Sequence, residues 1–211
     1  MIYLIGGPPK CGKTTLAREL SRKIKVPWIA VDTLQSIVWA YMDKEERLKK
    51  FPASKMTIKT KRNNDLKYKE YSIERIIDAY RRQAKAVYTA IDMMVLGEMT
   101  DGNDHIIEGY HIEPRLAAKL MHRYGKDNIR AVFLVKNNQK EFLKGIKKSR
   151  THNDWILGRT KKEETLEKIA KMACDYSKII KKEVVKHKMK VFLMDKDFSG
   201  KIRKAIEYLR K

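Results

Sequence analysis

Residues Gly7–Thr14, with the sequence GPPKCGKT, restrict the possible folds of this chain more than any other segment. They fit the pattern G-x-x-x-x-G-K-[ST] at every fixed position. A short apolar run, Ile2–Ile5, comes directly before them, and apolar residues at helical spacing begin at Leu16. The chain is therefore predicted to begin with a strand, a glycine-containing loop and a helix. In that order of elements, the pattern is typical of a loop that binds a chain of phosphates.

Further apolar runs of strand length predict the rest of the sheet. They are Trp28–Val31, His105–Ile107, Ala131–Val135 and Lys190–Met194. Strands that alternate with helices and lack hairpin turns need crossover connections, which are right-handed and build a parallel sheet. The sequence thus predicts an α/β fold, a five-stranded parallel sheet with helices on both faces. We expect residues 1–211 to form a single domain, since a domain commonly holds about 100–200 residues.

The segment between the second and third predicted strands is too long for a simple crossover. We expect residues 43–100 to form a helical insertion that faces a substrate, and we predict one long amphipathic helix from Ser72 to about Gly97. Residues 149–162 lack periodicity and are predicted to form a lid, with an exposed turn as the alternative. The later helices are predicted at Pro114–Tyr124, Asn137–Lys148, Glu163–Lys188 and Gly200–Arg210.

The amino-acid composition limits the classes of protein to which this chain can belong. Hydrophobic residues make up 43% of the chain, which is enough for a buried core. The net charge of +22 favours anionic partners such as phosphates or nucleic acid, although lysine-rich surfaces also occur in proteins from hot environments. Two distant cysteines exclude a disulfide framework and a zinc finger. No apolar stretch approaches the roughly 20 residues of a membrane span, so we expect a cytoplasmic protein without a membrane partner.

Consecutive residues of the loop are predicted to bind the nucleotide ATP. Lys13 has the reach to contact the β- and γ-phosphates and is predicted to be catalytic, while the Thr14 hydroxyl is predicted to ligate the Mg²⁺ that bridges them. Cys11 is interpreted as a small filler, with a redox role as the alternative. The predicted set is Gly7, Pro8, Pro9, Lys10, Cys11, Gly12, Lys13, Thr14 and Thr15.

Two acidic residues follow predicted strands at the edge where parallel sheets bind ligands. Asp32 is predicted to bind the substrate and to accept the proton of a hydroxyl that attacks the γ-phosphate. Capping of the following helix is its alternative role, and the two roles can coexist. Glu108 is predicted to lie in the substrate site and to hold Mg²⁺ through water. An ion pair with Lys13 or Arg115 is the alternative for Glu108.

Basic side chains supply the remaining site predictions. His111 and Arg115 are predicted to contact substrate; the alternatives are a structural histidine and a salt bridge from Arg115 to Glu113. Arg150 and Arg159 lie in the predicted lid and are predicted to be catalytic. Guanidinium groups that arrive when a lid closes stabilise phosphoryl transfer.

With these residues, the sequence resembles the small P-loop kinases of the nucleoside-monophosphate-kinase type. It is most similar to the group that includes 2-phosphoglycerate kinases and related small-molecule kinases. The matching residues are Gly7–Thr14, Ile29–Leu34 and Ile106–His111 followed by Pro114, within residues 1–115. The resemblance implies a five-stranded parallel core, Mg-ATP at the loop, an inserted acceptor-binding region and a lid with arginines. It also implies that Asp195–Phe198 lies near the adenine.

We therefore predict an ATP-dependent kinase that transfers the γ-phosphoryl group to a hydroxyl of a small, anionic metabolite. Basic residues of the insertion are candidates for holding a phosphate or carboxylate of that acceptor, and simple exposure is their alternative. They are Lys55, Lys59, Lys61 and Arg62. Two other functions stay open. One is a kinase for polynucleotide ends, nucleosides or nucleotides, and the other is an ATP-binding regulatory switch with no acceptor.

Overall fold

The computed structural model of the chain describes residues 1–148 and 154–211. In these residues, a single parallel sheet has the order β2-β3-β1-β4-β5. The central strands β3, β1 and β4 are almost completely buried, as expected for a parallel sheet covered on both faces. This arrangement confirms the predicted fold class. The strands are β1 Ile2–Gly6, β2 Trp28–Ala30, β3 His105–Glu108, β4 Ile129–Val135 and β5 Lys190–Leu193.

Helices pack on both faces of this sheet because the strand side chains alternate between two apolar cores. Along β4, for example, Phe133 belongs to one core and Leu134 to the other, and both are fully buried. One face is covered by α1 Lys13–Ile24 and α11 Phe198–Arg210. The other face is covered by α8 Pro114–Tyr124, α9 Gln139–Lys148 and α10 Glu163–Lys186.

The segment between β2 and β3 is fully described and is helical throughout. Its helices are α2 Val31–Ala40, α3 Lys44–Lys50, α4 Pro52–Lys59, α5 Asn64–Glu70, α6 Ile73–Ala86 and α7 Tyr88–Thr100. Helix α4 packs against α6, and α5 and α6 both pack against α10. The inserted helices therefore share the apolar core that covers one face of the sheet, and they stand beside the carboxyl ends of the strands.

The prediction of one long helix from Ser72 to about Gly97 is wrong, because the chain leaves helical geometry at Val87. There φ is −103° and ψ is −4°, and the Val87 N–H donates to the Ala84 carbonyl, 3.1 Å away, in place of the carbonyl four residues back. Val87 is fully buried, so the apolar spacing continues across the break. Periodicity alone therefore did not reveal the division into α6 and α7.

Other helix ends differ from prediction by a few residues for local reasons. Helix α8 has the predicted bounds. Helix α11 begins two residues earlier than predicted, because the Asp197 carboxylate accepts a hydrogen bond from the Gly200 N–H and caps the helix. Helix α10 ends at Lys186, just before the positive φ of Lys188. Among the described residues, no helix combines the length and the apolarity that a membrane crossing requires.

Candidate active site

An open cleft of about 1160 Å³ lies beyond the carboxyl ends of the strands and contains most of the predicted site residues. The phosphate loop, α1 and the inserted helices α2, α4 and α6 contribute to its lining, together with α9 and the residues that follow β5. A smaller depression of about 430 Å³ lies around Lys25 and His105, where β3 begins, at the other edge of the sheet. Ligands of open α/β sheets bind at the carboxyl edge, so the large cleft is the candidate site.

The backbone of the loop needs glycine at two positions. φ is +130° at Gly7, and a Cβ there would lie 2.1 Å from the Leu134 carbonyl oxygen. φ is +99° at Gly12, where a Cβ would lie 2.7 Å from the Phe198 ring. Helix α1 begins directly after Gly12 without a capping side chain or an acidic residue in its first turn. Its N-terminal N–H groups and the positive end of its dipole are thus available to an anion.

Lys13 supplies a largely buried positive charge at the loop. Its ammonium donates a hydrogen bond to the Pro8 carbonyl oxygen, 2.8 Å away, and the residue is only 8% exposed. Burial raises the pKa of both Asp32 and Glu108, and the charge of Lys13 opposes this rise at each of them. The three side chains therefore belong to one electrostatic site.

Thr14 and Glu108, the two predicted metal ligands, lie side by side. The Thr14 hydroxyl donates to Oε1 of Glu108 over 2.7 Å, and Glu108 is 4% exposed at the end of β3. Neither alternative ion pair of Glu108, with Lys13 or with Arg115, occurs among the described residues. Hydroxyl and carboxylate oxygens suit Mg²⁺, so the pair fits that ion. In residues 1–148 and 154–211, no cluster of three His, Cys, Asp or Glu side chains could hold it alone. Phosphate and water oxygens would have to complete its coordination.

Asp32 lies one residue further along than its predicted place at a strand end. Strand β2 ends at Ala30, and Asp32 belongs to the first turn of α2. The helix is capped by Ala30 without a side-chain hydrogen bond, so the capping role considered for Asp32 is wrong. Asp32 is exposed and lines the same cleft as the loop, and partial desolvation by the surrounding protein raises the pKa of its carboxyl. Asp32 is therefore free to contact a ligand.

The nine loop residues divide between the cleft surface and its support. Those that line the cleft are Pro9, Lys10, Gly12, Lys13, Thr14 and Thr15. Cys11 is fully buried, and burial raises the pKa of its thiol. A raised thiol pKa opposes the thiolate chemistry of a redox cysteine. Its position agrees with the interpretation of Cys11 as a filler behind the loop.

His111 and Arg115 are not brought to the cleft lining. His111 is fully buried, and its Nε2 lies 2.9 Å from Oε1 of Gln35, to which it donates. Burial lowers the pKa of His111 to about 3, so the ring is neutral. Arg115 is exposed on α8, where its guanidinium faces Glu183 at 4.0 Å, in place of the considered partner Glu113. Any effect of His111 on a ligand must therefore pass through its neighbours at the cleft, Gln35 and Tyr110, and the ring centre of Tyr110 lies 3.7 Å from that of His111.

A polar network missed by sequence reasoning connects His111 to the cleft. The Gln83 amide donates to Gln35 Oε1 over 3.0 Å and to the Tyr110 hydroxyl over 2.6 Å. Its carbonyl oxygen accepts from the Ser54 N–H over 2.9 Å. Gln35, Gln83, Tyr110 and Ser54 all line the cleft. Gln83 is a polar residue on the apolar face of its helix, and this is the signal in the sequence that could have revealed it.

The lid prediction is only partly within the described residues. Arg150 falls in the range 149–153 and lies outside them. Arg159 ends a short 3₁₀ turn that begins at Leu157, and it lines the cleft. The described part of the predicted lid is tied to the glycine-containing loop by the Lys10 ammonium, which lies 2.7 Å from Oδ2 of Asp154. One of the two predicted lid arginines therefore reaches the site.

Of two groups of residues predicted to contact the acceptor or the adenine, only one lines the cleft. The basic residues proposed to hold the acceptor, Lys55, Lys59, Lys61 and Arg62, are exposed and do not line the cleft. The segment implied to lie near the adenine contributes two residues to the lining of the cleft, Asp195 and Phe198. Oδ1 of Asp195 accepts hydrogen bonds from the backbone N–H groups of Asn137 and Asn138 over 3.1 and 2.9 Å, which fixes this end of the cleft.

Comparison with known proteins agrees with this architecture. No family model and no curated relative matches the sequence. A shikimate kinase from Bacteroides thetaiotaomicron is similar with a TM-score of 0.52 and 16% identity over 100% of this chain and 99% of that one. A deoxyadenosine kinase from M. mycoides, solved with dCMP and dCDP, is similar with a TM-score of 0.50 and 14% identity over 100% and 99%. At these identities the similarity shows the fold. The chain has the P-loop fold that these small kinases share.

Proposed function

We propose that this protein is an ATP-dependent kinase that transfers the γ-phosphoryl group to a hydroxyl group of a small, anionic metabolite. One observation carries the proposal. A single cleft brings together Lys13, the hydrogen-bonded pair Thr14 and Glu108, and Asp32 on α2. The proposal assigns phosphate binding to Lys13, metal ligation to the pair and proton acceptance to the Asp32 carboxylate, which are the parts that phosphoryl transfer needs.

The loop residues would bind the triphosphate. The N–H groups at the start of α1 donate to phosphate oxygens, and Lys13 exchanges its hydrogen bond to Pro8 for one to the β- and γ-phosphates. Thr14 would hold Mg²⁺ directly and Glu108 would hold it through water. An Mg²⁺ ion held by these two residues would supply positive charge that offsets the negative charge developing on the phosphates during transfer.

In this proposal Asp32 accepts the proton of the acceptor hydroxyl. The acceptor oxygen forms its bond to the γ-phosphorus while the bond from that phosphorus to the bridging oxygen breaks, and ADP leaves. The hydroxyl proton passes to the Asp32 carboxylate. Its raised pKa makes it a stronger base than a fully solvated aspartate, and the nearby Lys13 limits the rise. Arg159 lines the same cleft and adds positive charge to the site.

The test is ADP formation from MgATP in the presence of hydroxy acids, phosphorylated hydroxy acids, sugars, nucleosides and nucleotides. We expect stimulation by at least one acceptor that carries a carboxylate or a phosphate. Lys13→Met should abolish it, whereas Lys23→Met, an exposed lysine on the same helix, should not. Calorimetric binding of MgATP without stimulation by any acceptor would contradict the kinase and favour a regulatory switch. No binding would contradict both.

Polynucleotide ends are the second candidate acceptor, because the cleft lining contains four further basic residues on α1 and α9. They are Arg18, Arg22, Lys144 and Lys148. Basic side chains along a cleft attract a phosphate backbone, with an affinity that falls steeply with salt. Oligonucleotides with a free 5′-hydroxyl therefore belong in the panel. Phosphorylation of these alone, with strong salt dependence, would favour the second candidate.

A further inference from the structure

Lys67, on α5, is a buried cation with no acidic partner among the described residues. It is 4% exposed, and no carboxylate in residues 1–148 and 154–211 forms an ion pair with it. Its ammonium donates to Oγ1 of Thr57 over 3.3 Å and lies 5.3 Å from the centre of the Tyr80 ring. The Thr57 hydroxyl donates in turn to the Ala53 carbonyl oxygen. An ammonium has three N–H donors, so this contact leaves two of them available.

An unpaired buried charge is unfavourable, and nearby residues show how this chain otherwise avoids it. Arg81 on α6 is partly buried and is paired with Glu113 at 2.8 Å and with Glu183 at 2.6 Å. Lys67, in contrast, has no such carboxylate partner among the described residues. Burial lowers the pKa of Lys67 to about 8, and the positive charge of Arg159 contributes in the same direction. Lys67 is thus a desolvated cation beside the exposed Arg159, and neither forms an ion pair within residues 1–148 and 154–211. Perturbed groups of this kind concentrate at binding sites.

Lys67 does not itself line the candidate cleft but lies directly behind residues that do. Both of its neighbours, Thr57 and Tyr80, line the cleft, and so does Arg159. The lid is held over α5 by Asn64, whose amide donates to the Trp155 carbonyl oxygen over 3.2 Å and to the Thr160 hydroxyl over 3.0 Å. These bonds fix the segment that carries Arg159 against the helix that carries Lys67.

We propose that Lys67 and Arg159 form the subsite that holds the anionic group of the acceptor, a carboxylate or a phosphate, with the Thr57 hydroxyl as a further contact. This inference rests on the proposed function and deepens it. Asp32 lines the same cleft, so the acceptor would present its hydroxyl there while its oxyanion lies between Lys67 and Arg159. The substrate class is therefore hydroxy acids or phosphorylated hydroxy compounds, and uncharged hydroxy compounds are disfavoured.

The kinetic test compares acceptors with and without the anionic group. Lys67→Met should raise KM for the anionic acceptor by about 10- to 100-fold, the range for a lost hydrogen bond to a charged group. KM for MgATP, and KM for the amide or dephosphorylated form of the acceptor, should change by less than about twofold, within the scatter expected when no contact is lost. Arg159 is exposed, so Arg159→Met tests the subsite without a risk to folding, and Lys69→Met on the same helix is the matched control.

A binding test separates failure of the subsite from failure of the kinase. With MgADP saturating the loop, inorganic phosphate and glycolate are each titrated into the full chain and followed by calorimetry. We expect one of the two to bind the wild type and to bind Lys67→Met at least about 10-fold more weakly, with Lys69→Met unchanged. The anion that binds identifies the group of the acceptor.

The outcomes are distinct. If neither anion binds the wild type, the subsite is wrong. It is also wrong if an anion that binds the wild type binds Lys67→Met with the same affinity, even if uncharged acceptors are phosphorylated. If no acceptor is phosphorylated but anion binding depends on Lys67, the subsite stands and the kinase proposal fails.

Discussion

The Lys10 ammonium lies 2.7 Å from Oδ2 of Asp154, so an ion pair joins the glycine-containing loop to residues 154–162, the described part of the predicted lid. Oδ1 of the same carboxylate accepts hydrogen bonds from the backbone N–H groups of Ile156 and Leu157 over 2.9 and 3.4 Å. Burial would raise the pKa of Asp154, but the hydrogen bonds from Lys10 and Ile156 outweigh it and lower the pKa. One carboxylate thus organises the first turn of the described lid and fixes it to the loop that is proposed to bind phosphate.

Lys10→Met is expected to loosen the lid without unfolding the domain. Partly exposed ion pairs contribute about 1 kcal/mol or less, so the free energy of unfolding should fall by no more than that. Hydrogen exchange of residues 154–162 should become faster, because local opening needs less free energy than global unfolding. The matched control is Lys147→Met, which removes an exposed ion pair to Glu163 at the start of α10. Unchanged exchange in Lys10→Met would contradict the role of the pair.

Glu108→Gln is expected to weaken the use of Mg²⁺. The substitution keeps the size of the side chain but removes the charge that accepts from Thr14 and would hold the water of the metal. We expect kcat to fall by about 100-fold, as for other losses of electrostatic stabilisation, together with a higher Mg²⁺ concentration for half-maximal activity. Steady-state assays over a range of Mg²⁺ measure both. Glu207→Gln, on the exposed side of α11, should leave both unchanged. A normal Mg²⁺ requirement in Glu108→Gln would exclude Glu108 from the metal site.

The sequence predicted those parts of the site that depend on local geometry. The pattern from Gly7 to Thr14 specifies a backbone path almost independently of the rest of the chain, because Gly7 and Gly12 need positive φ values. The alternation of strands and helices then placed Glu108 at the same edge of the sheet. These two facts explain why Thr14 and Glu108 lie next to each other.

The residues that sequence reasoning missed depend on how the inserted helices pack. Lys67 is one of many lysines in a basic stretch, and the packing of α5 against other inserted helices buries it beside Thr57 and Tyr80. Other basic residues of the same stretch stay exposed, namely Lys55, Lys59, Lys61 and Arg62. His111 follows the predicted strand end closely, yet the loop turns its ring inward to Gln35. Side-chain burial of this kind is a tertiary property, which periodicity in one segment does not report.

His111 is expected to make the protein less stable in acid. Its pKa is about 3 in the folded state against about 6.5 in the unfolded state, so between these values the unfolded chain binds more protons. Stability therefore falls as pH falls from 6.5 to 3, by up to roughly 5 kcal/mol from this group. Urea unfolding at pH 7 and pH 4.5 measures the slope. His111→Gln should have a smaller slope than the wild type, and His122→Gln, an exposed histidine, should retain it. Equal slopes in wild type and His111→Gln would show that burial does not keep this ring neutral.

Lys67→Met is expected to be more stable than the wild type near neutral pH and to lose this advantage in alkali. Burial lowers the pKa of Lys67 from 10.5 to about 8, so below pH 8 the folded protein carries an unfavourable buried charge worth roughly 3 kcal/mol. Between pH 8 and 10.5 the unfolded chain binds more protons, and the stability contributed by this group to the wild type rises with pH. Methionine has no charge, so the difference between the two proteins should shrink over that range.

Denaturant titrations at pH 7 and pH 10 measure this difference, with Lys69→Met as the matched control from the exposed face of the same helix. The loss of the hydrogen bond to Thr57 offsets about 1 kcal/mol of the gain at both pH values, so it does not alter the trend. The binding anion should stabilise the wild type at pH 7 and have little effect on Lys67→Met, since a ligand stabilises only the state that binds it. If Lys67→Met is destabilised equally at both pH values, Lys67 acts through packing alone, and its charge has no part in the subsite.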